Sequence, residues 1–178
     1  MSDIRDSYER HAAGMQTVLT DAGDFAAPSP CAGWTAADVV DHVIDTQRDF
    51  LARQGVDLGA RPGGDPPAAW AAHVAAVAER VDDETLHRGY DGAFGPTTIG
   101  ATLADFYGFD MVVHRWDVAR ALGRDTTFSN AEMDAMEASV AVFGEHLYGE
   151  GVCRAAVPVP AGASRQDRLL GVLGRDPR

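Results

Sequence analysis

An acidic residue and a histidine four apart on one long helical pattern constrain this chain more than any other feature. The stretch Thr97 to Gly123, TTIGATLADFYGFDMVVHRWDVARALG, is the longest run at helical spacing and carries Asp110 and His114. Four residues take an α-helix slightly past one turn, so both side chains leave the same face about 6 Å apart at Cβ. That spacing suits two ligands of one metal ion. The apolar stripe Ile99, Leu103, Phe106 and Val113, with Ala121, runs beside this face and turns the pair toward a core or a cleft. A carboxylate and an imidazole held there need partners, either each other in an i,i+4 ion pair or a bound cation.

The rest of the chain supplies helices to face this one. Ile4, Tyr8, His11, Met15, Val18, Leu19 and Ala22 fall at helical spacing over residues 3–22, and Gly23 ends that segment. Pro28 and Pro30 make Ala26 to Gly33 a rigid connection. Thr35 then caps a second helix, with Asp38 completing an approximate capping box and Trp34 placed to staple onto Val39. Its core stripe is Val39, Val40, Val43, Ile44, Phe50 and Leu51, its acidic side Asp38, Asp45 and Asp49, and His42 falls on the boundary. After a Gly- and Pro-rich surface loop from Gly55, Pro66 and Pro67 open a third helix with Trp70, Val74, Val77 and Val81 on one face and His73 flanking it. Between Asp82 and Pro96 the helical period stops, which predicts an extended excursion or short hairpin. A helix over Ser129 to Gly144 follows, capped by Ser129 or Asn130, with Met133, Met136, Val140 and Phe143 inward. The tail from Val157 holds Pro158, Pro160 and a short final turn from Arg168 to Leu173. These elements predict an all-α single domain over 1–178: a four-helix bundle with a short extra helix or extended excursion and an irregular C-terminal tail.

Composition removes several function classes. A net charge of −12 and a pI near 4.7, with no cluster of arginines, exclude a phosphate-backbone partner. The absence of a long apolar run or a charged leader predicts a cytoplasmic protein without membrane contact. Cys31 and Cys153 form no CxxC pair and are expected as reduced thiols. The sequence shows no Ser-His-Asp order, phosphate-cradling glycine loop or HExxH motif. The expected partner is a small-molecule substrate, and a homodimer is left open.

Helical bundles build their sites from side chains on facing helices, so the question is what faces Asp110 and His114. His42, about two turns inside its helix, would complete two imidazoles and one carboxylate, the ligand set of open zinc and non-haem iron sites. The other reading of His42 is an edge histidine bonded to a neighbouring carboxylate. His11 on the first helix is the rival ligand, read as a core histidine, while His73, His87 and His146 read as surface or helix-end residues. Cys31 reads as a small buried residue ahead of the second helix, and Trp34 and Trp116 as packing. Asp117, one turn beyond His114, can accept that ring's free N–H or pair with Arg120 or Arg124.

Three ordered motifs, PCAGWTAADVVDHV, GAFGPTT and DMVVHRWDVARALG, resemble the DinB/YfiT-like metalloenzyme superfamily, in the branch related to mycothiol-dependent maleylpyruvate isomerase. The resemblance spans roughly Met15 to Pro177 and includes the closing QDRLLGVLGRDP. It implies a four-helix bundle with a divalent metal, zinc foremost and nickel or iron as alternatives, held by His42, Asp110 and His114. The isomerase carries a glutamate where Asp110 stands, and a further C-terminal domain for which this chain has no length. The implied activity is therefore a metal-dependent S-transferase or isomerase using a low-molecular-weight thiol, mycothiol being the cosubstrate implied, on a small electrophile. A non-catalytic binding module with the same metal site and a metal-assisted hydrolase are the alternatives.

Overall fold

The computed structural model describes residues 2–20, 23–149 and 152–178. Its helices are α1 (Ser2–Leu19), α2 (Ala36–Arg53), α3 (Pro66–Arg80), α4 (Asp83–His87), α5 (Ile99–Ala101), α6 (Tyr107–Ala121), α7 (Asn130–Phe143) and α8 (Arg165–Val172). One antiparallel hairpin, β1 (Gly89–Gly92) with β2 (Gly95–Thr98), interrupts them, and the fold class is an all-α bundle. The chain divides into two compact units, residues 1–125 and 126–178. In the first, α1 and α2 each pack against both α3 and α6, so the four helices close a ring around one core.

Local chemistry sets where these helices start. Thr35 Oγ1 accepts the Asp38 N–H at 3.2 Å while Asp38 Oδ2 accepts the Thr35 N–H at 2.8 Å, a reciprocal capping box. Beyond it Val39, Val40, Val43 and Ile44 are wholly buried, each worth about 1.5–3 kcal/mol of apolar transfer. Asp65 caps α3 through the Ala68 N–H at 2.9 Å, and Pro66 occupies the first position, where no N–H is needed. Helices α1 and α6 approach closely at two glycines. A Cβ on Gly108 would stand 2.8 Å from Cδ2 of His11, and one on Gly14 would stand 2.6 Å from Nη1 of Arg115. His11 is therefore packed over the backbone of α6 but is half-buried, at the edge of the core and not inside it.

Several boundaries differ from the periodicity. The long helix starts at Ile99 with Thr98 as its cap, because Thr97 and Thr98 belong to β2. Between α5 and α6 the chain makes one π-helical turn, Thr102–Phe106. Its extra residue moves the inward position from Phe106 to Tyr107, so Phe106 is 47% exposed and Tyr107 only 5%. Phe106 thus leaves the apolar stripe that a 3.6-residue period assigned to it. In the stretch read as extended, Asp82 accepts the Thr85 N–H at 2.8 Å and opens the short helix α4 before the hairpin. Ala22, placed on the first helix by spacing, lies outside the described residues. In the second unit α7 starts after Ser129, packs on α8, and ends at Gly144 with φ +51°. A Ser164–Asp167 capping box begins α8 three residues before the expected turn, burying Leu169, Leu170 and Leu173.

Candidate metal centre

Residues 111 to 119 of α6 are all buried, so polar side chains on this stretch must find partners inside the protein. His114 finds two. Its Nε2 lies 3.3 Å from Oδ1 of Asp110, and its Nδ1 lies 2.9 Å from Oδ2 of Asp117. Asp117 is wholly buried, whereas the Asp110 side chain keeps 22% of its surface exposed. From α2, the half-buried His42 brings its ring edge-on to His114 with centroids 5.2 Å apart. One ligand atom each from His42, Asp110 and His114 lies within 4.8 Å of the others, so the structure brings the three together across two helices.

These residues fit a divalent cation on two counts. Oδ2 of Asp110 is buried without a hydrogen-bond partner, a state that costs free energy unless something positive faces it. The 3.3 Å between Nε2 and Oδ1 also matches the N···O edge of a tetrahedron with metal bonds of about 2.0 Å, which is about 3.3 Å. The two rings differ in their electrostatics. Burial holds His42 below the usual imidazole range, and the neighbouring His114 pushes the same way against Asp110 and Asp45. Burial opposes a charge on His114 too, but Asp110 and Asp117 outweigh it and keep that ring protonated well above the usual range.

Two groups escaped the sequence reading. Cys31 is part of the cluster: its Sγ donates to Oδ2 of Asp117 at 3.3 Å. The connection before α2 folds back on itself, with Ser29 N–H to Trp34 O at 2.8 Å and Trp34 N–H to Cys31 O at 3.0 Å, so distance along the helix is no guide to where Cys31 points. Trp34 packs its ring on His42 at 4.8 Å between centroids and so walls the site. His73 corrects a surface assignment. It is wholly buried, with Nε2 3.0 Å from Oε1 of Gln47, which also accepts the Tyr8 hydroxyl at 2.9 Å. Burial drops its pKa to about 4. His87 and His146 are exposed, and His11 joins neither cluster of candidate metal-holding side chains among the described residues.

Comparison with known proteins places this chain in a family. The model of the mycothiol maleylpyruvate isomerase N-terminal domain matches residues 5–119, more than half of the chain, and spans His42, Asp110, His114 and Asp117. The chain belongs to this family. Two uncharacterized proteins of Mycobacterium tuberculosis, from strains CDC 1551 / Oshkosh and ATCC 25618 / H37Rv, are each 28% identical to this chain over 184 residues, covering 97% of this chain and 95% of theirs. No solved structure matches. Among the described residues no helix is long and apolar enough to cross a membrane.

Proposed function

We propose that this chain is a divalent-metal-binding domain that joins a low-molecular-weight thiol of the mycothiol type to a small electrophile, as an S-transferase or isomerase. The observation that carries the metal reading is the convergence of His42, Asp110 and His114, with Oδ2 of Asp110 buried and unpartnered. Family membership supports the thiol half. Zinc suits two imidazoles and a carboxylate, and nickel or iron would accept the same set. A divalent cation with three protein ligands supplies an open Lewis-acid position that favours the thiolate over the thiol at neutral pH.

The chain's own residues do the positioning. Asp117 accepts from Nδ1 of His114, which leaves the Nε2 lone pair facing Asp110 once the second proton is lost. Trp34 packs on His42 and limits where that ring can swing. The partly exposed edges of His42 and Asp110 give a ligand its way in, while the buried α6 stretch closes the other side. A binding module remains the second reading, favoured by one observation: the titratable groups against His114 are already engaged, Asp117 with His114 and Cys31 with Asp117.

The test is elemental analysis of protein purified without a metal-affinity tag, alongside His42→Ala. About one metal per chain, lost in the variant, is the expected result, followed by electrophile turnover that needs both metal and added thiol. No metal and no zinc uptake would end the metal reading; metal without thiol-dependent turnover would leave the binding module.

A further inference from the structure

Beside the cluster on α2 and α6 stands a second set of donors that the reading above does not use as ligands. Cys31 is held in a tight turn: Pro28 pairs with Thr35, and Ser29 Oγ both accepts from the Cys31 N–H at 3.2 Å and donates to its carbonyl at 3.3 Å. That turn aims Sγ at α6. Sulfur, imidazole nitrogen and carboxylate oxygen of Cys31, His114 and Asp117 come within 4.8 Å of one another.

We propose that Cys31, His114 and Asp117 form a second metal position, for thiophilic cations such as zinc or cadmium, adjoining the first and sharing His114 with it. Tetrahedral zinc with bonds of about 2.3 Å to sulfur and about 2.0 Å to nitrogen and oxygen has an S···O edge of about 3.5 Å and an N···O edge of about 3.3 Å. The corresponding separations here are 3.3 and 2.9 Å, so small outward shifts of the three groups make room. Soft cations favour the thiolate. A thiolate and a carboxylate also neutralise a divalent ion completely, which suits the fully buried Asp117.

Proton accounting links the two positions. The incoming cation replaces the protons that now bridge Cys31 and His114 to Asp117, and both leave for solvent as the metal–sulfur and metal–nitrogen bonds form. His114 then keeps its proton on Nε2 and donates it to Asp110. A neutral imidazole offers one lone pair at a time, so His114 serves one position or the other. The second position rests on Cys31 and not on His42, so its failure is separable from failure of the proposed function.

Cobalt(II) titration of the metal-free full chain under anaerobic conditions tests it, because only a thiolate ligand adds a near-ultraviolet sulfur-to-cobalt charge-transfer band. The band is expected in the wild type, in His42→Ala and in Cys153→Ser, and is expected to vanish in Cys31→Ser with helicity unchanged. A wild type that binds cobalt without the band overturns the proposal. A band lost in His42→Ala overturns it too, since Cys31 would then be a ligand of one merged site, as does a band that follows Cys153.

Discussion

His73 shows how one buried side chain ties stability to pH. Its imidazole is wholly buried against Gln47, and its pKa is lowered to about 4. The unfolded chain takes a proton near pH 6.5 and the folded chain only near 4, so the contribution of His73 is complete above 6.5 and lost as pH falls toward 4. Urea unfolding should show the wild type losing about 2 kcal/mol more between pH 7 and pH 5 than His73→Gln, which keeps a hydrogen-bonding group but cannot titrate. Equal losses would mean that His73 reaches solvent. On the proposed metal reading, Asp117 would act on a bound cation through His114, whose Nδ1 lies 2.9 Å from its Oδ2. Asp117→Asn is expected to weaken zinc binding about 10- to 100-fold in competition with a chromophoric chelator, with helicity intact. At this scale the sequence marked His42, Asp110, His114 and Asp117 through spacing and motif, and missed Cys31 because a turn, with no period, aims it.

Among the elements, the α1–α6 contact depends on a missing side chain. Gly108→Ala would set a methyl 2.8 Å from His11, and the ring, packed between two helices, has to shift. The expected cost is about 1–3 kcal/mol of overpacking, read as a drop in Tm by calorimetry. A Tm equal to wild type would show that His11 can turn away freely. The capping residues Thr35 and Ser129 and the opening Pro66 were legible because capping is a local affair of a few residues. The π turn at Thr102–Phe106 was not, since a single wide turn leaves the residue types unchanged and alters only which of them face inward.

For the whole molecule the metal reading predicts linkage. A ligand that binds only the folded chain adds RT ln(1 + [L]/Kd), about 2.7 kcal/mol at a hundredfold excess over Kd. Zinc should therefore raise Tm by several degrees, a chelator should reverse the rise, and a double His42→Ala, Cys31→Ser variant should show none of it. A zinc-induced rise of equal size in that variant would place the binding elsewhere. The net charge of −12 favours cation uptake generally, so the variant, and not the wild-type shift alone, decides the matter.

Sequence alone determined the helical class, the apolar stripe of α2 and the residues gathered on α2 and α6, because periodicity, caps and an i,i+4 pair are written in neighbouring residues. Tertiary structure decided what meets across the core: that Cys31 comes to Asp117, that Trp34 walls His42, that His73 is buried and that Phe106 turns outward. These depend on the path of a turn and on the register of one π turn, and both are fixed by packing between segments far apart in the chain.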